Sequence, residues 1–139
     1  MISNFFEMPA FLKILTAMAL CIFGFLASTM LSDGINLYGH VVTTAEWWSS
    51  GAGYVFLIVV LLFNGSGILM LKRVAYGRAV HITALLASNI GAWVAIQLNH
   101  VQSPMFLAST CFNLAATTAI ACYLYFSKGA RAYFSGVHS

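Results

Sequence analysis

Four long apolar runs constrain this chain more than any other feature of its sequence. A helix needs about 20 apolar residues to cross the hydrocarbon core of a bilayer. Because lipid cannot hydrogen-bond to the backbone, such segments cross as helices unless they close into a barrel. The sequence therefore predicts an all-α membrane protein, a single domain over residues 1–139 that forms an antiparallel bundle of four transmembrane helices. The predicted spans are approximately 9–31, 49–71, 78–98 and 105–126.

The composition indicates lipid as the surrounding medium. Hydrophobic residues make up 61% of the chain and charged residues only 6%, whereas a soluble domain carries about 25% charged residues. So little charge could not cover a surface in water, so the bilayer must cover the helices. The formal net charge of +3 does not indicate a nucleic-acid partner, because the basic residues flank apolar spans and form no basic face.

The basic residues predict the orientation of the bundle. All six lie at span ends that would share one side of the membrane: Lys13, Lys72, Arg73, Arg78, Lys128 and Arg131. Lys and Arg favour the cytoplasmic side, so we expect both termini there, the N-in/C-in arrangement. Asp33 and Glu46 lie on the opposite side, where Trp47 and Trp48 mark the interface. The predicted location is a bacterial-type inner membrane, crossed several times.

Two segments outside the later spans also need an interpretation. The first apolar run is interpreted as a retained span, because it is too long for a signal peptide and no small-x-small cleavage site follows it. The longest connection, residues 32–48, is predicted to be a loop with a turn at Asp33 and Gly34.

Two spans carry polar residues at helical spacing. The third span has Asn89, Trp93, Gln97 and His100, and the fourth has Ser109, Asn113 and Thr117. At a rise of about 1.5 Å per residue, Asn89 and Asn113 reach similar depths near the midplane. The third and fourth spans are joined by a short turn, so we expect these two amides to contact each other.

The intramembrane polar residues have two interpretations. As structural residues they join helices, each interhelical hydrogen bond contributing about 0.6 kcal/mol on average. As functional residues they line a polar path or a ligand pocket. The set that either interpretation concerns comprises Asn64, Asn89, Gln97, Asn113 and Thr117.

Small residues predict close helix packing in two places. The first span has a small-residue stripe comprising Ala17, Cys21, Gly24 and Ser28, and small side chains let helix backbones approach in lipid. The second span contains the run Asn64-Gly65-Ser66-Gly67. This run favours close crossing by another helix, and its sharper alternative is the discontinuous-helix binding site of a transporter.

No metal or cofactor is predicted. The three cysteines, Cys21, Cys111 and Cys122, lie singly within apolar runs and are expected to be buried. His40, Glu46 and His100 could meet outside the membrane, but their spacing does not demand a zinc site. We expect His81, near the inner end of the third span, to lie among lipid head groups.

The spans contain no acidic residue. Proton- and cation-coupled transporters usually place a carboxylate within a span, because an intramembrane charge is functional by default. A carboxylate is also a common general acid or base, and the motifs of hydrolases are absent. The sequence therefore argues against proton-coupled transport and against catalysis, and no catalytic residue is predicted.

The leading functional prediction is a non-enzymatic interaction protein. Its outline is similar to that of small four-span accessory subunits and of immunity proteins against pore-forming toxins, by architecture alone. It would bind another membrane protein, or a second copy, through helix faces and through its outer surface at His40, Trp47, Trp48 and His100. The alternative is an oligomeric channel, transporter or flippase for a neutral or weakly polar solute. A third class is an enzyme that acts on lipid or quinone.

Overall fold

The computed structural model describes residues 2–135 and is mostly helical. Four of its helices are long and apolar enough to cross a membrane, so the chain is a multi-pass membrane protein. They correspond to the four predicted spans. In chain order the elements are α1 (Ile2–Glu7), α2 (Ala10–Leu31), β1 (Gly34–Leu37), β2 (His40–Thr43), α3 (Thr44–Ser49), α4 (Ala52–Leu71), α5 (Gly77–Leu98), α6 (Met105–Phe126) and α7 (Lys128–Ser135).

Helix α4 is the centre of the packing, with its most extensive contacts to α5 and to α2. Glycines permit both approaches. A β-carbon at Gly67 of α4 would lie 3.0 Å from the Leu20 side chain of α2, and one at Gly91 of α5 would lie 3.2 Å from Val55 of α4. The run around Gly67 therefore allows close crossing, and α4 continues through it without interruption.

Helix α6 is the most weakly packed of the four long helices. It contacts mainly α5 and α7, and its buried residues are Thr117 and Leu124. Large apolar side chains on α6, among them Leu107 and Phe112, are more than 70% exposed. In a bilayer this surface meets lipid or another protein.

Buried apolar side chains form three clusters along the helices. One, which we call the Met70 end, brings together Met8, Leu12, Leu15, Met70, Leu124, Tyr133 and Phe134. The opposite one, the Trp47 end, comprises Val42, Trp47, Ala52, Ala95, Ile96 and Val101. Between them lie Ala19, Val59, Phe63 and Ala84. The start of α2 thus meets the ends of α4 and α6, while the start of α4 meets the end of α5.

At the Met70 end, the short terminal helices hold the connection between α4 and α5. The Asn4 side chain donates to the Leu71 carbonyl at 3.0 Å, and Glu7 forms an ion pair with Arg73. The Arg73 guanidinium lies over the ring of Tyr133, 4.9 Å from its centroid. The Tyr133 hydroxyl donates to the Met70 carbonyl at 3.0 Å. Helices α1 and α7 therefore stabilise the end of α4, and the hydrogen bond to Glu7 raises the pKa of Arg73.

At the Trp47 end, the predicted loop over residues 32–48 is instead a β-hairpin followed by α3. Strands β1 and β2 pair antiparallel with Ile35 opposite Val42. The two-residue turn has φ of 51° at Tyr38 and 92° at Gly39, the positive values that a type I′ hairpin turn requires. A tyrosine at the first turn position is unusual, which is why the sequence did not indicate a hairpin.

We expect Tyr133→Ala to lower the free energy of unfolding by about 3 kcal/mol, because it removes a buried aromatic ring and one of the two hydrogen bonds that the Met70 carbonyl accepts. Thermal unfolding of the full chain in mild detergent measures the change. Tyr76→Ala is the matched control, since Tyr76 is 63% exposed. Equal losses in the two variants would contradict a stabilising role for α7.

Candidate functional site

The half-buried intramembrane amides bond to their own helices. The Asn64 side chain donates to the Val60 carbonyl at 3.0 Å, and the Asn89 side chain donates to the Leu85 carbonyl at 2.8 Å. Both bonds connect a residue to the one four positions earlier, which is how a helix satisfies a polar side chain in lipid. Among the described residues, neither amide makes a hydrogen bond to another helix.

Asn113 differs from the other two asparagines of the spans. It is exposed on α6, and within residues 2–135 its carboxamide has no hydrogen-bond partner. The predicted contact with Asn89 is therefore not made, because Asn89 bonds within α5 and α6 packs weakly along this stretch. Thr117 is buried and donates to the backbone carbonyl of Asn113 at 2.8 Å. Gln97 is exposed on α5.

The small-residue stripe on α2 faces away from the other helices. Cys21, Gly24 and Ser28 are exposed and Ala17 is half-buried, and no atom lies within 4 Å of a β-carbon built at Gly24. The stripe therefore makes no close packing within the chain, in contrast to the expectation for a helix-packing face. The buried residues of α2 are a separate set: Leu12, Leu15, Thr16, Ala19, Leu26 and Thr29.

The cysteines are also placed differently from expectation. Cys21, Cys111 and Cys122 are free and exposed on the helix surfaces. In a membrane they face lipid or a partner, which is an apolar environment outside the core of this chain. Burial against lipid and burial against protein place the same demands on a small apolar side chain, so the sequence could not separate them.

The Trp47 end has an open polar cleft of about 420 Å³. Its walls include His40, Glu46, Asn99 and His100, so the structure brings together the residues that the sequence placed outside the membrane. They form no metal site: in the part of the chain that the structure describes, no three His, Cys, Asp or Glu side chains converge to hold an ion.

The two tryptophans beside this cleft belong to the packed core. Trp47 is only 5% exposed and contacts Phe56 edge-on, with centroids 6.3 Å apart. Trp48 is half-buried against Tyr54, with centroids 5.6 Å apart. Of the predicted outer contacts, His40 and His100 are therefore the exposed ones, and Trp47 could contact a partner only if this end repacked.

His81 is buried in the helix core, which corrects the prediction that it lies among lipid head groups. Its exposed fraction is 2%, and its Nδ1 atom lies 2.9 Å from the Oγ atom of Ser66 on α4. The buried Ser66 hydroxyl also lies 2.7 Å from the Phe63 carbonyl oxygen, to which it donates. The Phe63 ring packs edge-on against the imidazole, with centroids 5.6 Å apart. A polar pair thus joins α4 to α5.

A signal for this pair was present in the sequence. Ser66 lies five residues before the end of α4, and His81 lies four residues after the start of α5. At about 1.5 Å per residue, both side chains lie about 6–8 Å inside their helices. Equal distances from a short connection place two residues at one depth on neighbouring helices, which would have predicted the contact.

Glu46 gives the Trp47 end a dependence on pH. Thr43 donates to its carboxylate from the hydroxyl at 2.8 Å and from the backbone N–H at 3.0 Å, which completes a capping box at the start of α3. These hydrogen bonds lower the pKa of Glu46 from its ordinary value of 4.5. The resulting stabilisation is complete above the ordinary pKa and is lost as the pH falls through the lowered one.

We expect acid to loosen α3 and to expose Trp47, shifting its fluorescence to longer wavelength. The measurement uses a chain in which Trp48 and Trp93 are replaced by Phe, so that Trp47 is the fluorophore. Glu46→Gln should remove this pH-dependent shift, and Asp33→Asn, at the same end, should retain it. A shift that persists in Glu46→Gln would assign the acid sensitivity to another group.

Comparison with known proteins leaves the function to be argued from the geometry. No protein-family model matches the chain, and no curated protein and no solved structure is significantly similar to it. Three features of the structure bear on its function: the free amide on α6, the polar cleft at the Trp47 end and the buried Ser66–His81 pair.

Proposed function

We propose that this chain is a non-enzymatic interaction protein of the inner membrane, an accessory-subunit or immunity-type protein that acts through a helix face. The observation that carries the proposal is the exposed Asn113 on α6. The first partner we assign to this face is a second copy of the chain. The exposed cleft beside His40 and His100 is the surface left for another membrane component.

A free carboxamide in hydrocarbon is costly. Asn113 lies about 4 Å from the midpoint of α6, calculated from a rise of about 1.5 Å per residue, so neither interface supplies it with water. A buried amide without a hydrogen bond costs about 1–3 kcal/mol in proteins. The other intramembrane asparagines avoid this cost by bonding to their own helices. A partner helix at Asn113 would remove it.

The chemistry of the amide favours a second copy as that partner. A carboxamide both donates and accepts, so two Asn113 side chains related by a two-fold axis can pair in both directions. The same patch then faces itself, as in the commonest class of homo-oligomer. The weak packing of α6 within its own chain leaves this helix face accessible.

The orientation of the helices supports a cytoplasmic placement of both termini. All six Lys and Arg residues lie at the Met70 end: Lys13 near the start of α2, Lys72 and Arg73 after α4, Arg78 at the start of α5, and Lys128 and Arg131 on α7. Asp33 and Glu46 lie at the Trp47 end. We therefore propose an antiparallel four-helix bundle, N-in and C-in, in a bacterial-type inner membrane.

Transport by an oligomer is the alternative function. In that function Asn64, Asn89, Gln97, Asn113 and Thr117 would line a passage through the oligomer. Flux of a neutral solute into liposomes that Asn89→Leu abolishes, with the bundle still folded, would favour transport over association alone.

We expect Asn113→Leu to weaken self-association, with the dimer dissociation constant rising roughly fivefold or more. Two interhelical hydrogen bonds contribute about 1 kcal/mol together, and about 1.4 kcal/mol corresponds to a tenfold change. Energy transfer between donor- and acceptor-labelled copies, measured in liposomes over a range of protein-to-lipid ratios, gives the constant. Asn113→Gln should retain association, because it keeps the amide.

Asn64→Leu is the matched control, since it also replaces an intramembrane amide with an apolar side chain but removes a bond within one helix. Equal effects of the two leucine variants would contradict a specific contact at Asn113. A wild-type chain that stays monomeric at every ratio would overturn the second copy as partner. Loss of a stoichiometric membrane protein from purified Asn113→Leu would then assign the face to that protein.

We expect a membrane-impermeant maleimide to label a cysteine at Gln102, between α5 and α6, in intact cells. A cysteine at Ser135 on α7 should be labelled only after the membrane is permeabilised. Both single-cysteine variants are made in a chain whose three native cysteines have been replaced by alanine. The reverse pattern of labelling would contradict the proposed orientation without affecting the proposal about Asn113.

A further inference from the structure

An apolar cavity of about 300 Å³ lies against His81, between α2, α4, α5 and α6. A second cavity, of about 340 Å³, shares the side chains of Ile22 and Phe63 with the first and extends along α4 as far as Ala52. Ligand pockets in proteins measure about 300–1,000 Å³. From Phe63 to Ala52 the path along α4 is about 16 Å at about 1.5 Å per residue, which suits an extended apolar tail.

The hydrogen bonds of Ser66 determine what His81 offers to this cavity. The Ser66 hydroxyl has one proton, and it donates to the Phe63 carbonyl. To bond with Ser66 as well, His81 must then donate from Nδ1 to the Ser66 oxygen. This arrangement makes two hydrogen bonds where the other tautomer makes one. It leaves Nε2 with a free lone pair and no proton, so Nε2 can only accept.

The cavity beside His81 opens to the bilayer. Phe11, Ile14 and Met18 of α2 line it and are 41%, 54% and 66% exposed. An amphiphile could therefore enter sideways from the lipid, between α2 and α6. His81 lies about 6 Å inside the start of α5 at about 1.5 Å per residue, close to the level at which membrane amphiphiles carry their polar groups. The tail would run from this level to the midplane near Phe63 and on along the second cavity into the other half of the bilayer, as far as Ala52.

We propose that these two adjacent cavities together bind a membrane amphiphile with one apolar tail and a hydroxyl group, and that the hydroxyl donates a hydrogen bond to Nε2 of His81. The ligand class is a hydroxyl donor such as a long-chain alcohol. A ketone or an ether of the same shape is disfavoured, because it offers only acceptors to a nitrogen that also accepts. The site is independent of the helix face at Asn113.

A photoreactive long-chain alcohol with a diazirine in its tail tests this site, with the methyl ether of the same alcohol as the matched probe. Both are added to the full chain in lipid nanodiscs at equal mole fraction, and the labelled peptides are quantified by mass spectrometry. The alcohol should label the tail region near Ile22 and Phe63 several-fold more than the ether does.

Two variants separate the roles of the hydrogen bond and of the cavity. His81→Phe keeps an aromatic ring beside Phe63 but removes the acceptor, so labelling by the alcohol should fall roughly fivefold, to the level of the ether, for the loss of one neutral hydrogen bond. Met18→Trp narrows the mouth at an exposed position and should lower labelling by both probes. Trp93→Phe, at an exposed position of α5 that lines neither cavity, should change labelling by neither probe.

Equal labelling of the wild-type chain by the alcohol and the ether would overturn the assignment of a hydroxyl donor. Undiminished labelling by the alcohol in a folded His81→Phe variant would overturn the role of Nε2. If His81→Phe does not fold, two other measurements test the proposal: the ratio of labelling by the alcohol to labelling by the ether in the wild-type chain, and the effect of Met18→Trp on labelling by both probes. Labelling that lies outside the two cavities and ignores Met18→Trp would overturn the site itself.

Discussion

Lipid offers no hydrogen bonds, and the polar side chains of the spans are arranged around that constraint. Asn64 and Asn89 turn their amides back to carbonyls of their own helices. Ser66 and His81 satisfy each other across two helices. Each arrangement satisfies a polar group inside the membrane without water. Only the Ser66–His81 bond also joins two helices. Asn113 has neither solution, which is why the proposed function rests on it.

The same constraint explains where the structure concentrates its polar contacts. At the Met70 end, the last carbonyls of α4 lack the helical donors four residues further on, although the Met70 carbonyl still accepts from the backbone N–H of Arg73 at 3.0 Å. The Tyr133 hydroxyl and the Asn4 amide supply donors there, and Arg73 lies between Glu7 and the Tyr133 ring. At the other end, the capping box of Thr43 and Glu46 satisfies the start of α3. Between the ends, α4 packs by shape, through Gly67 and through Gly91 of α5.

The four spans could be predicted because length and apolarity alone define a helix in a bilayer. The faces of those helices could not, because a lipid-exposed surface is as apolar as a packed one. The small stripe at Cys21 and Gly24 therefore indicated packing, although it faces outward. The sequence did not indicate the hairpin because its turn uses Tyr38. The position of His81 one helical turn after Arg78 indicated the head-group region, whereas its depth in the helix matches that of Ser66. The contact between Asn89 and Asn113 was predicted from their similar depths. Depth does not determine whether an amide bonds to a neighbouring helix or to a carbonyl of its own helix.

The contacts of the last helix have a consequence for the order in which the chain is made. Helices α4 and α5 leave the ribosome before α7 is synthesised. Until then, the Met70 carbonyl and Arg73 lack their contacts with Tyr133. The contacts between α4 and α5, among them Gly91 against Val55 and the Ser66–His81 pair, do not depend on α7. Helix α7 then completes the end of a bundle that is already inserted. Without α7, the bundle would lack the Tyr133 contacts to Met70 and Arg73 at this end.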